Sequence, residues 1–332
     1  MKAGIDSKKQ NINDTADRLM KKGFEALESS DTDRAIDIGR ELKNLRHSSA
    51  FEILALAHEQ KGHVKRAIRI LEEGVRRAPR VWVLWQLLGN YYSNMERFAN
   101  AQQCYLKALD CPHADTSSIH FNAAIAFFRA KKTALCLKQI SSIRSKEMAL
   151  KALGVQIKAL VRLGRIKAAE QLAKRALSTR WKDEDQEDIA NALAGVAGLR
   201  LKQGKTADAL NIARKSIGFN KLDTDAAWVI RELAAKSSIH GKYYRIMVNG
   251  AWPRTADGNS RQLGFFTNYD VVADDLDEAL ELLKEFEPKD VWSSLRIESS
   301  EFIEKRINEP KGVYKAGGYF VYPKRKSRSQ RR

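Results

Sequence analysis

The chain has 332 residues, 43% of them hydrophobic and 30% charged, with a mean hydropathy of −0.47, which is enough apolar material for more than one buried core. Lysines and arginines recur every few positions, so no run approaches the roughly eighteen apolar residues that a membrane helix needs, and a transmembrane protein is excluded. The 59 Lys and Arg outnumber the 41 Asp and Glu, a net charge of +18. Residues 1–240 hold 42 basic against 27 acidic residues, the last nine hold six basic and none acidic, and residues 241–323 are slightly acidic. No apolar stretch follows Lys2, Lys8 and Lys9, and the cysteines number three, so the expectation is a cytoplasmic protein without a secretory leader or a disulfide framework.

After a polar segment over residues 1–14, the chain to Lys236 is dense in Ala, Leu, Lys, Arg and Glu, which predicts helix almost throughout. Leu19, Gly23, Ala26 and Ala35 open a first helical pair. Phe51, Leu54, Ala55, His58, Ala67, Leu71, Gly74 and Pro79 form a second, with Gly62 at its turn. The third repeats this pattern 34 positions later with Trp85, Leu88, Gly89, Tyr92, Ala101, Tyr105, Ala108 and Pro112. Each residue type has a reason: the ring and leucine pack one helix against the next, the small residues sit where helices come closest, and proline ends the unit. Weaker copies follow, around Phe121, Ala124 and Phe128 with a short second helix at Leu135 to Ile140, around Leu153 to Ala176, and around Leu193 to Ala213. Ala226 to Ala235 reads as a capping helix.

The spacing of Trp85, Leu88, Gly89, Tyr92, Ala101, Tyr105, Ala108 and Pro112 resembles the tetratricopeptide repeat (TPR) family, with Tyr105 in place of the usual phenylalanine and Pro112 one position early. The resemblance implies an all-α solenoid over residues 15–240, a right-handed superhelix of five to six helical hairpins that binds a protein or peptide on the concave face lined by first helices. A pentatricopeptide array, which reads single-stranded RNA one base per repeat, would show a regular polar pair in every unit, and these units do not. Register then places Glu52, Leu56, Glu59 and Gln60 on the ligand face, followed by Gln86, Asn90, Ser93 and Asn94 one unit on. In later units the same face carries Lys151, Lys158, Arg162 and Lys202. Asn90 and Asn94 suit a peptide backbone, while Lys158 and Arg162, four apart, suit a carboxylate, so the expected partner is an acidic segment. A solvated helix face explains any one of these lysines, and only their clustering argues for a site.

Second helices carry Lys65, Arg66, Arg69, Arg76, Arg77 and Arg80, then Lys167, Lys174, Arg175, Arg180 and Lys182, without interleaved aromatic residues. They define the alternative reading, a nucleic-acid-associated factor, together with the tail residues Lys324, Arg325, Lys326, Arg328, Arg331 and Arg332. A solubilising surface and a disordered tail explain the same charges without any nucleic acid.

After Gly241 the texture changes to aromatic and β-branched residues, which predicts a small α+β domain over 241–323. The expected order is a strand at Tyr243 to Val248, a strand at Phe265 to Val272, a helix opened by Asp275 and Glu278 and ended by Pro288, a strand at Val291 to Ile297, a short helix at Glu301 to Ile307, and a strand at Tyr314 to Tyr322 broken by Gly317 and Gly318. No nucleophile, nucleotide or cofactor motif appears, so the expectation is a binding protein without cofactor or catalytic residues, an enzyme hidden in the C-terminal module being the third reading. Cys104, Cys111, His113 and His120 have the types for zinc, but packing on a helix accounts for both cysteines.

Overall fold

The computed structural model describes residues 2–234, 237–253 and 262–323; the basic tail 324–332, Ala235 at the end of the expected cap, and residues 254–261, between the first two expected strands, lie outside them. The chain divides into two compact units, residues 1–152 and 153–332. Among the described residues no helix is long and apolar enough to cross a membrane.

In the first unit four helical hairpins follow one another: α1 (Lys2–Glu28) with α2 (Thr32–Asn44), α3 (Ser49–Gln60) with α4 (Val64–Arg77), α5 (Trp82–Asn94) with α6 (Phe98–Leu109), and α7 (Thr116–Arg129) with the short α8 (Thr133–Ser141). The single-turn helix α9 (Lys146–Lys151) closes the unit. Helix begins at Lys2, so the backbone of the polar segment expected at the front belongs to α1. The hairpins obey the rule read from their small residues. A Cβ on Gly89 would lie 2.8 Å from the Tyr105 ring, and the equivalent pair one repeat earlier is Ala55 with the smaller Leu71, both fully buried. A larger residue on one helix is thus matched by a smaller one on its neighbour, which keeps the helix spacing constant.

The second unit begins with two further hairpins, α10 (Leu153–Arg162) with α11 (Ile166–Ser178) and α12 (Gln186–Lys202) with α13 (Thr206–Phe219), then α14 (Thr224–Ala234). The rest comprises β1 (Lys242–Ala251), β2 (Leu263–Ala273), α15 (Leu276–Lys284), a 3-10 turn at Lys289–Ser294, β3 (Arg296–Lys305), β4 (Gly312–Ala316) and β5 (Phe320–Pro323). The sheet is antiparallel, in the order β3-β1-β2-β4, with β5 also paired to β2. Alternation along β1 buries Tyr244, Ile246 and Val248, as its pattern predicts. Asp275 caps α15 by accepting from the Glu278 N–H at 2.8 Å, while the Glu278 carboxylate accepts from the N–H of Asp274, so the capping box closes one residue earlier than expected.

Two expectations for this region are corrected. The strand expected at Val291 to Ile297 is the 3-10 turn, which buries Val291, and the helix expected at Glu301 to Ile307 is the second half of β3. β3 is an edge strand exposed along almost its whole length, so it lacks the buried alternation that marks a strand in sequence, and its charged residues blunt the edge instead. The final strand is broken where Gly317 and Gly318 predict, with both halves on β2.

The change from helix to strand near His240 is not a break in the core. One apolar cluster runs from Ala194, Ala213, Ile217, Val229 and Ile230 of α12 to α14 into Ile246, Phe265, Tyr269, Val271 and Leu283 of the sheet and α15. The expected cap, α14, therefore turns its apolar side to the sheet rather than ending the array against water. A polar staple reinforces this junction: the Lys221 ammonium, in the turn before α14, donates to Glu287 at 2.9 Å and to Thr267 at 3.0 Å, and lies 3.4 Å from the Tyr319 ring centroid. Tyr319 also donates to Glu287 at 2.6 Å, and Tyr269 donates to the same carboxylate, so a fully buried charge is enclosed by donors.

Candidate peptide-binding surface

In the first unit the first helices α1, α3, α5 and α7 are cross-linked by side chains one repeat apart. Gln60 donates to the Leu27 carbonyl at 3.0 Å, Tyr91 donates to Glu59 at 2.7 Å, Gln86 donates to Ser118 at 3.3 Å, and Arg129 donates to Asn94 at 2.7 Å. Glu59, Gln60, Gln86 and Asn94 thus sit on first helices, and each already makes a bond to a neighbouring first helix. Asn90 differs, because its side-chain oxygen accepts from Tyr105 of α6 at 2.9 Å, which directs it into its own hairpin. Asn94, the other amide expected to meet a peptide backbone, is exposed, and Gln86 on the same layer is half-buried with its Oε1 lacking a donor among the described residues. An unmatched buried acceptor costs about 1–3 kcal/mol.

Sequence reasoning placed Glu52 on this surface without seeing its chemistry. Its carboxyl is largely buried in α3, and burial raises its pKa from 4.5 to about 7. Among the described residues no cation or hydrogen-bond donor is paired with it. A desolvated carboxyl without a partner among the described residues is one that a nearby positive charge would stabilise in its ionised form. Tyr91, which donates to Glu59, has its pKa raised first by burial and then by that carboxylate, so it stays a neutral donor.

Basic residues expected in later units behave differently. Lys151 ends α9 and pairs with Glu147 at 3.0 Å. In the second unit the Lys158 ammonium, on α10, already holds a carboxylate of this chain, Asp225 of α14, at 2.6 Å with only 16% of its side chain exposed. Lys158 therefore serves α10 and α14 rather than standing open to a ligand, while Arg162 and Lys202 are exposed. A guanidinium not singled out from sequence, Arg200 of α12, clamps Glu170 of α11 through two bonds of 2.6 and 3.1 Å and holds that carboxyl down at about 2.

Helices α4, α5 and α6 line an open cleft of about 750 Å³ whose apolar walls include Val75, Trp85, Leu88 and Leu106, with Glu72, Arg76 and Lys107 among its charged residues. The Trp85 indole N–H donates to the Pro79 carbonyl at 2.9 Å, which ties the signature ring of one hairpin to the closing proline of the previous one. Among the residues whose types suit zinc, His120 bonds Gln139 at 2.7 Å, the Cys111 thiol donates to the Lys107 carbonyl at 3.2 Å, and burial raises the pKa of the Cys104 thiol to about 12. The basic residues expected on second helices, among them Lys65, Arg69, Arg76, Lys167 and Lys174, are exposed.

Comparison with known proteins agrees with this geometry. Residues 83–110, which are α5, α6 and the turn between them, match the tetratricopeptide repeat model. Among solved structures the chain is similar to pilF of Pseudomonas aeruginosa, at 14% identity and a TM-score of 0.54 over 68% of this chain and 99% of that one. It is also similar to a tetratricopeptide repeat protein from Parabacteroides merdae, at 11% identity and 0.52 over 66% and 86%. A chain of the APC/C hetero-tetramer Cut9-Hcn1 follows at 14% and 0.51, where 63% of this chain spans only 40% of that one. No curated protein matches. The helical part is a TPR solenoid, and residues 83–110 are a tetratricopeptide repeat; a small antiparallel sheet with one helix follows it.

Proposed function

We propose that the chain is a protein-interaction scaffold whose first-helix layer, α3, α5 and α7, receives an extended segment of a partner protein. The observation that carries this reading is the unpartnered, desolvated carboxyl of Glu52 on that layer, one repeat before the orphaned oxygen of Gln86. Both are acceptors without donors, so the segment supplies a lysine or arginine at Glu52 and backbone N–H groups beyond it. The exposed amide of Asn94 extends the same set. The acidic character expected of the partner loses Lys158, which is closed by Asp225, and rests on the exposed Lys202 of the second unit. The fold is shared with a chain of the Cut9-Hcn1 hetero-tetramer, an assembly of proteins.

The test is capture from cell extract by the full-length chain, treated with nuclease, compared with full-length Glu52→Lys and Arg162→Glu/Lys202→Glu variants. The proposal expects a protein that survives nuclease and moderate salt and is lost with Glu52→Lys. Capture that nuclease abolishes and that falls steeply between low and physiological salt favours the nucleic-acid reading, whose carriers are the exposed second-helix arginines and lysines.

A further inference from the structure

A second cavity, of about 230 Å³, lies among α2, α3 and α4, and none of its lining residues is one of those just assigned to the first-helix layer. His58 lines it, only 5% exposed, with its Nδ1 buried and without a partner. The repeat explains the orphan. His58 stands where the next hairpin has Tyr92, and the Tyr92 hydroxyl donates to Glu72 at 2.8 Å. Thirty-four residues before Glu72 the chain has Ile38, so the repeat supplies no carboxylate for the imidazole at the position where the tyrosine finds one.

The other charged groups around this cavity give it a positive interior. Arg40 comes from α2, Lys61 and His63 from the α3–α4 turn, and Arg66 from α4, against Asp33 and Asp37 of α2. Both carboxylates are engaged, Asp33 by Lys61 and Asp37 by Arg40 at 3.0 Å, which leaves the Arg66 guanidinium without an acid among the described residues. Burial, then Arg66, His63, Lys61 and Arg40, hold the His58 pKa below its ordinary value. His63 caps α4 without a side-chain hydrogen bond, and the first turn of α4 contains no acidic residue, so the positive end of a 14-residue helix is uncompensated.

We propose that this cavity binds a phosphate-class oxyanion, either free phosphate or the phosphomonoester of a phosphorylated partner segment. Its oxygens take the fork of Arg66 and the first N–H groups of α4, as anions do at helix N-termini. The added negative charge lets His58 accept a proton and turn from an orphan into a donor. Binding is therefore linked to protonation of His58, the bound anion raising the pKa of that imidazole.

The experiment follows the histidine ring resonances of the full-length chain by NMR as pH is varied, in chloride, in inorganic phosphate and with a phosphoserine peptide, all at matched ionic strength. His58→Gln assigns the resonance. The proposal expects the His58 pKa to rise by about one unit with a phosphate ligand, a tenfold coupling between proton and anion, and to stay put in chloride. Arg66→Gln, an exposed position that leaves the core intact, should abolish most of the rise. Thermal unfolding gives a readout independent of the His58 variant: phosphate should raise the midpoint of the wild type and not of Arg66→Gln. A response at lower concentration to the phosphoserine peptide assigns the site to a modified partner, and a response to inorganic phosphate alone assigns it to the free anion. An unmoved His58 titration with both ligands, or a response that survives Arg66→Gln, overturns the proposal.

Discussion

Replacing Glu52 by glutamine tests the electrostatic reading of the binding surface without changing its shape. In the folded chain burial raises this carboxyl from 4.5 to about 7, while in the unfolded chain it has the ordinary carboxylate value. Between those two values the unfolded chain has released a proton that the folded chain keeps. Stability therefore falls as pH rises through this window, and the penalty is complete above about 7. A shift of that size corresponds to at most about 3 kcal/mol, and residual contact with water reduces the expected effect to about 1–2 kcal/mol. Glu52→Gln should thus stabilise the chain by that amount at pH 8 in urea unfolding and have little effect near pH 4, where both side chains are neutral. The same variant should bind the partner more weakly, since stability is gained by removing the group that the ligand neutralises. A variant no more stable than wild type at pH 8, or equally stabilised at pH 4, refutes the reasoning.

Lys221→Met leaves the Glu287 carboxylate buried without its cation, and denaturant unfolding should show a loss of about 3–5 kcal/mol. The Glu170 carboxyl, held at about 2 by Arg200 and Gln203, contributes stability that is present above the ordinary carboxylate range and lost as pH falls from 4.5 toward 2. Glu170→Gln should flatten that acid limb of the unfolding profile. Gly89→Ala places a Cβ against Tyr105 and should cost about 1–3 kcal/mol, and adding Tyr105→Leu, which recreates the Ala55 and Leu71 pair, should recover most of it in thermal unfolding. Truncation after residue 240 strips the sheet from Val229 and Ile230 and leaves Lys221 without its acid, so hydrogen exchange should show α12 to α14 losing protection rather than remaining a folded end of the array.

The hairpins were legible because their constraints are local and recur. Turn residues show where that legibility thins. Ser30, Gly62, Glu96, Lys131, Gly164 and Gly204 all adopt left-handed backbone between paired helices, with φ between 58° and 77°. Three of the six are glycine and mark their turns in the sequence, whereas serine, glutamate and lysine reach the same conformation because the packed helices on either side enforce it. The binding surface was legible as positions but not as chemistry. Register places Gln86 and Lys158 equally well on a ligand face, yet what each side chain bonds depends on residues 32 and 67 positions away. The continuity of the α12 to α14 core with the sheet was hidden for the same reason, since Ala194, Ile217 and Phe265 reveal their shared cluster only once the strands are in register. β3 misled because its partners lie on one side only, so composition rather than periodicity dominates its sequence.

Site-specific photo-crosslinking tests the central claim most directly. A photoreactive residue placed at Asn94, on the first-helix layer, is compared in the full-length chain with one at Arg69, exposed on α4. The account predicts that a partner protein captured by the wild type crosslinks from position 94 and not from position 69, and that Glu52→Lys abolishes the adduct. Crosslinking from position 69 alone, or adducts formed only with nucleic acid, would contradict it.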